Sequence, residues 1–200
     1  MKEIVAGIHA WSVFNNEKKI DFNGHLVAND EGCVLIDPPE MSEEELRMAE
    51  EIGPPGLIVI TNRHHTRAAM ELAARWKIRI LMHEDDAQEI LDDVRLGGIY
   101  RDGDRLTAGL LVVTLPDQKS PGESALICKK SDAVILGDAL IGTPSGKVRM
   151  LPEEKYADVY RARAGLRRLL DHPFDAVLLG DGVSPVKGGR RVLEEFLGAA

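Results

Sequence analysis

Five short apolar runs constrain this chain more than any other feature: Cys33–Ile36, Leu57–Ile60, Ser124–Cys128, Ala133–Leu136 and Ala176–Leu179. Each is strand-sized, and each is stopped by polar or turn-forming residues, such as Asp37-Pro38-Pro39 or Gly137-Asp138. A run that is apolar at every position fits a strand buried on both faces, whereas a strand with one wet face alternates. Such strands need covering layers on either side, which points to a layered α/β architecture. Neither these runs nor Leu110–Leu115 approach the length of a membrane span.

The intervening segments supply the covers. Ser42 opens a helix with Glu45 three residues on, the spacing of a capping box. Leu46, Ala49 and Ile52 form its inner stripe, and Gly53-Pro54-Pro55 stops it. A helical period runs from Thr66 to Trp76, through Ala69, Leu72 and Ala73, and a shorter helix is expected over Asp85–Leu91. A longer helix is expected from Glu153 to Leu170, burying Val159, Ala162, Leu166 and Leu169, and a last one over Arg190–Leu197, with Val192, Leu193 and Phe196 inward. Further strands are expected in Ile4 to Phe14, His25–Asn29, Ile78–Met82 and Leu110–Leu115. Gly97-Gly98 and Gly188-Gly189 read as turns, and no phosphate-binding glycine signature is present.

At 200 residues the chain suits a single domain spanning 1–200. Its formal charge of −8 argues against nucleic acid or an anionic membrane as the main partner. With no secretory or spanning pattern, a cytoplasmic location is the default expectation. Cys33 and Cys128 sit inside apolar runs and read as small buried hydrophobes. Oligomeric state cannot be read from the chain.

One stretch is echoed. Asp132-Ala133-Val134-Ile135-Leu136-Gly137-Asp138 returns as Asp175-Ala176-Val177-Leu178-Leu179-Gly180-Asp181. Two strands of one sheet converging on similar sequences would explain it. So would the delivery of two carboxylates to one sheet rim, where sites tend to be built.

These pieces fall in an order that resembles the metallo-β-lactamase superfamily. Asn23-Gly24-His25-Leu26-Val27 and Val34-Leu35-Ile36-Asp37 resemble its early strands. Leu57-Ile58-Val59-Ile60-Thr61 leads into Asn62-Arg63-His64-His65-Thr66-Arg67, where the family carries T-H-x-H-x-D-H. Ser120-Pro121-Gly122 resembles the H-T-P-G loop, Gly137-Asp138 the Gly-Asp that supplies a metal-bridging carboxylate, and Gly180-Asp181-Gly182 a late Gly-His-Gly. The resemblance covers residues 4–185, and it is the ordered set, not any one motif, that is specific. It implies a four-layer αββα sandwich with a pocket at one rim, lined by the turns after Thr61, Leu115, Leu136 and Leu179.

The departures bear on activity. In the family, these positions hold one or two transition metals, usually zinc, that activate water for hydrolysis. Carried over residue by residue, the ligand positions fall on Asn62, His64, Thr66, Arg67, Lys119 (or Gln118, after a one-residue slip), Asp138 and Asp181, so only His64 and Asp138 keep the family residue. Protonated Arg67 and Lys119 have no lone pair to give. A buried carboxylate that has lost its metal needs a cation beside it, so Arg67 and Lys119 are expected to pair with Asp138 and Asp181, with no cofactor. The rival is a single Zn, Mn or Fe held by His64, Asp138 and Asp181, with His65 or Gln118 helping.

Two functions follow: a non-metallic descendant that binds a small molecule or partner through the pocket, and a one-metal hydrolase of a thioester, lactone, phosphoester or similar bond. Catalytic residues are not assignable under the first. The pocket candidates are Asn62, His64, His65, Thr66, Arg67, Gln118, Lys119, Asp138 and Asp181. Of these, His65 lies between motif positions and is expected to point along the turn or cap the next helix. His83 and His172 read as surface or turn residues, and His25 as a strand residue with a satisfied partner. Glu123 is left to line the pocket or face water. Lys119-Ser120 invites a serine–lysine nucleophile, but neighbours in extended chain point to opposite sides.

Overall fold

A computed structural model describes residues 1–90 and 96–198. The first sheet contains β1 (Lys2–Val5), β2 (Ile8–Asn15), β3 (Ile20–Asn29), β4 (Gly32–Ile36), β5 (Leu57–Ile60), β6 (Arg79–His83) and β7 (Gly98–Tyr100), side by side in chain order. β1 to β4 pair antiparallel; from β4 onward the neighbours are parallel. The crossovers between those parallel strands carry α1 (Glu43–Ile52), α2 (Ala69–Trp76) and α3 (Glu84–Ile90). The second sheet contains β8 (Arg105–Leu106), β9 (Leu110–Thr114), β10 (Ser124–Cys128), β11 (Ala133–Leu136) and β12 (Ala176–Leu179), ordered β12-β11-β10-β9-β8. β11 and β12 are parallel; the other neighbours are antiparallel. Between and after them come α4 (Val159–Gly165) and α5 (Gly189–Leu197).

Alternation along the continuous apolar strands builds three cores. Val34, Ile36, Leu57 and Val59 of the first sheet meet Leu110, Val112, Leu126, Ile135 and Leu178 of the second. The opposite faces, Leu35, Ile58 and Ile60, pack on Leu46, Ala49, Ala69 and Leu72 of α1 and α2. On the far side, Ile127, Val134, Val177 and Leu179 pack on Leu166, Leu169, Leu193 and Leu197. This is the four-layer αββα sandwich, and the fully apolar strands are those with a core on each face.

Several boundaries moved, for local reasons. The capping box at Ser42 and Glu45 forms as expected. The helix expected from Thr66 starts only at Ala69, because Arg67 adopts a left-handed conformation (φ +38°) that no α-helix can include. The helix expected over Glu153–Leu170 is broken: a 3₁₀ turn at Glu153–Lys155, then α4, then 3₁₀ from Leu166 to Asp171. Asp158 restarts the helix by accepting from the backbone N–H groups of Tyr160 and Arg161. β7 and β8 were not anticipated; Gly98 opens a strand, and Gly189 opens α5, instead of closing turns. The Leu91 end of the expected third helix lies outside the described residues. Both cysteines are free and buried, and burial pushes the Cys33 thiol up to about 11. Among the described residues no helix is long and apolar enough to cross a membrane.

The edge strand β7 is anchored by Tyr100, whose buried hydroxyl donates to the Ile60 carbonyl over 2.7 Å. Tyr100→Phe is expected to destabilise the fold by about 1–2 kcal/mol through this lost bond, read as a lower urea midpoint with unchanged slope. An unchanged midpoint would show that the hydroxyl contributes nothing.

Candidate functional site

The rim is assembled where parallel strands end together. Leu136 and Leu179 are in register, so Asp138 and Asp181 emerge side by side two residues later. The same holds for β4 and β5, whose ends carry Asp37 and Thr61. The two sheets are stitched at this rim by the Asn23 N–H to the Gly180 carbonyl (2.7 Å), and by the Asn23 side-chain amide to the carbonyls of Leu179 and Gly182.

The glycines of the repeated Gly-Asp pair make room. A Cβ on Gly137 would stand 2.3 Å from the Thr61 hydroxyl and 2.5 Å from Asn62 Nδ2; one on Gly180 would stand 2.7 Å from the His65 ring. In each pair the glycine admits the β5 turn and the aspartate supplies charge. The second explanation of the echo, two carboxylates on one rim, is therefore the one the geometry carries.

Those carboxylates meet cations. Lys119 Nζ donates to Asp138 Oδ2 and Arg67 Nη2 to Asp181 Oδ1, each over 2.7 Å. Arg67 also donates to the carbonyls of Asn23 (2.8 Å), Asp37 (3.1 Å) and Gly180 (3.2 Å), and lies over the Phe22 ring. His65, expected to point along the turn, instead lies buried at the centre. Its Nδ1 faces Asp37 Oδ2 at 2.8 Å, while its Nε2 lies 3.3 Å from both Asp138 Oδ1 and Arg67 Nη2. The left-handed kink at Arg67 turns the chain so that both His65 and Arg67 reach inward.

Protonation follows from these contacts. Burial and Arg67 oppose a charge on His65, but Asp37 and the hydrogen bonds to Asp138 and Asp37 outweigh them and lift it to about 9. Burial works against ionised Asp138 and Asp37 as well, yet Asp138 is held well below the carboxylate range by His65 and Lys119, and Asp37 is lowered by His65, Arg67 and Thr61. Glu123 behaves oppositely. It is fully buried and accepts from Ala139 N–H (3.2 Å) and Asn62 Nδ2 (3.4 Å), while its other oxygen has no partner. Burial, reinforced by the Asp138 charge, pushes it well above the usual range. It forms part of the floor and does not face water.

The other candidates fall as follows. Asn62 is buried, and its Oδ1 accepts from the His64 N–H. His64 is exposed and held below its ordinary value by partial burial and Lys119. Thr66 is half-buried, its carbonyl accepting from Ala69 at the start of α2. Gln118 turns away to donate to the Ala162 carbonyl, so it is Lys119 that enters the site. Ser120 is buried and donates to Asp86, which also accepts from the N–H groups of Arg63 and Gly122, clamping two site loops together; Lys119 and Ser120 do point apart. His83 is buried, not superficial, and bonds Thr114. His25 is buried with its Nε2 unpartnered, against the expectation of a satisfied partner. His172 is half-buried.

Among the described residues, the side chains of His65, Asp138 and Asp181 bring possible ligand atoms within 4.8 Å of one another. That replaces the expected trio, with His65 in the place of His64. Asp37 and Glu123 had not been assigned to the site. Asp37 ends a buried strand, the same signal that singled out Asp138 and Asp181.

Comparison with known proteins agrees with this architecture. The profile of the metallo-beta-lactamase superfamily matches residues 1–200. No match is found among curated proteins. Similar solved structures include a metallo-beta-lactamase from Pontibacter korlensis (TM-score 0.75, 16% identity, covering 96% of this chain and 92% of that one). A second, TTHA1623, was solved in a di-iron-bound form (0.71, 25%, 93% and 99%). A third is the FIM-1 enzyme from Pseudomonas aeruginosa in a mono-zinc form (0.75, 11%, 99% and 94%).

The two buried histidines pull stability in opposite directions with pH. His65 stabilises fully below its ordinary 6.5, and that contribution is lost as pH rises through about 9. Burial, partly offset by Asp37, lowers His25 to about 4, so its cost is absent above 6.5, grows as pH falls from 6.5 to about 4, and is complete below that. Asp37 and Asp138, held low, stabilise above the ordinary carboxylate range and lose that contribution as pH falls through their folded values. Each histidine limb is worth on the order of 3 kcal/mol. The melting temperature should therefore peak near neutrality, with His25→Phe flattening the acid limb and His65→Gln the alkaline one. An alkaline limb that survives in His65→Gln would remove His65 as its source.

Proposed function

The chain belongs to the metallo-β-lactamase superfamily, and on that premise we propose that its centre is held by side-chain cations in place of a metal pair, making it a ligand- or partner-binding protein rather than a metallohydrolase. The observation that carries this reading is the pairing of Arg67 with Asp181 and Lys119 with Asp138, both at 2.7 Å.

The residues fit a metal poorly. An ion held by His65, Asp138 and Asp181 would sit about 2.0–2.2 Å from each donor. Arg67 Nη2 already lies 2.7 Å from Asp181 and 3.3 Å from His65 Nε2, in the same space. Its fixed charge repels a dication at that range, and a protonated His65 offers no lone pair. Metal-free hydrolysis fits no better. The Asp37–His65 pair resembles an orienting carboxylate and a base, but among the described residues His65 Nε2 is partnered by Asp138 and Arg67 and by no hydroxyl or thiol. The grouping of His65, Asp138 and Asp181 favours a second reading, a one-metal hydrolase. That reading requires Arg67 and Lys119 to leave their carboxylates when the ion enters.

Two experiments separate the readings. Protein purified without chelator and dialysed should hold well under one equivalent of Zn, Mn or Fe by elemental analysis; stoichiometric metal that vanishes in Asp138→Ala would establish the one-metal reading instead. Lys119→Met should destabilise the protein by about 1–3 kcal/mol, below the 3–5 typical of a fully buried pair because the lysine is partly exposed. Adding Asp138→Asn should recover part of that loss, a non-additivity that reports direct coupling. A neutral single variant with an additive double would end the ion-pair account.

A further inference from the structure

A cavity of about 530 Å³ opens beside the rim, with β2 and β3 on one wall and the segment around Gly182–Ser184 on the other. Its size is that of a small-molecule site. Its polar groups are unevenly committed. His25 is 1% exposed and its Nε2 has no partner, whereas buried polar groups are ordinarily satisfied. Burial keeps this ring neutral down to about pH 4, so it offers hydrogen bonding without charge. The half-buried Asp21 uses its backbone carbonyl to hold the Gly182 N–H at 2.9 Å, but its carboxylate has no hydrogen bond or ion pair among the described residues. Ser12 donates its proton to Asn23 Oδ1 and so presents only lone pairs. Ser184 accepts from the Leu179 N–H and keeps its own proton to donate. Val183, half exposed, adds apolar surface.

We infer that this cavity is a binding site for a small amine with a compact apolar body and a hydroxyl or amide group, the ammonium resting on Asp21 and the neutral polar group on His25. The charge at the cavity decides the class. A free carboxylate and serine lone pairs attract a hydrogen-bond-rich cation and repel an organic anion. The single lysine among the lining residues, Lys2, lies exposed at the chain start and does not reverse that balance. The inference deepens the binding reading given above by naming a ligand class and a place. It does not depend on the rim being metal-free, because neither the Asp21 carboxylate nor the His25 ring is hydrogen-bonded or ion-paired to the ion network, although Asp37 and Arg67 lie near enough to act on His25.

The test uses three probes of one shape: 4-hydroxybenzylamine, 4-hydroxybenzyl alcohol and 4-hydroxybenzoate, followed by the NMR shifts of the intact protein's histidine rings. The amine should bind saturably and move the His25 resonances, the alcohol should bind at least tenfold more weakly, and the benzoate should leave them unmoved. Asp21→Asn should weaken amine binding at least tenfold while melting within a few degrees of the parent. Benzoate binding as well as the amine, or an amine affinity unchanged in Asp21→Asn, overturns the proposal, as does an amine that leaves the His25 signals in place. Because elemental analysis reads the rim and these shifts read the cavity, failure of one reading is distinguishable from failure of the other.

Discussion

The guanidinium of Arg67 joins three segments at the rim, adding to the Asn23 bonds that already tie β3 to the end of β12. It bonds the Asn23 carbonyl on β3, the Asp37 carbonyl beyond β4, and Gly180 with Asp181 beyond β12. The first two belong to one sheet and the third to the other, so the side chain bridges the sandwich at its rim. Only a planar, multi-donor cation can bond several carbonyls and a carboxylate in one plane while stacking its face on Phe22. Its left-handed backbone is the cost of that reach, and the late start of α2 is the visible consequence.

Charge balance explains the protonation pattern around it. Asp37, Asp138 and Asp181 bring three negative charges to the buried rim; Arg67, Lys119 and a protonated His65 bring three positive ones. A neutral His65 would leave one carboxylate uncompensated in a poorly solvated place, which is why its ring holds its proton to about 9 despite burial. Glu123 is a further buried carboxyl at the rim, and among the described residues it is paired with no cation. Burial and the Asp138 charge raise it well above the usual carboxylate range, and the unpartnered oxygen marks where the balance runs out.

The strands were legible in the sequence because continuous apolar runs mark them, and Leu57–Ile60, Ser124–Cys128, Ala133–Leu136 and Ala176–Leu179 form as read, while their four-layer arrangement was legible through the family resemblance. The pairing of Arg67 and Lys119 with the two acids was legible for a similar reason: a buried charge demands an opposite one. What stayed hidden depends on backbone geometry. Nothing in Asn62–Arg67 announces a left-handed residue, so carrying the family motif over position by position put His64 at the site and left His65 along the turn, whereas the fold exposes His64 and buries His65. The choice between Gln118 and Lys119 turns on the packing of Gln118 against α4, a contact between residues far apart in the chain. β8 escaped because two residues paired at a sheet edge carry no pattern of their own.

The ion network is not required for stability as such. Well-packed apolar side chains in place of a buried ion pair are often as stable or more so, since desolvation offsets much of the attraction. A rim needed only to hold two sheets together could be filled with leucine. What apolar filling would remove is the placement of loops by directional bonds: Asp86 clamping Ser120 and Gly122 to the Arg63 turn, Asn23 clamping Leu179 and Gly182, and Asp37 fixing the orientation of the His65 ring. Each of these holds a buried residue of a loop whose neighbours reach solvent, as at Pro121 and Val183. A polar rim that fixes loop positions, at no clear gain in stability, is what a binding surface needs.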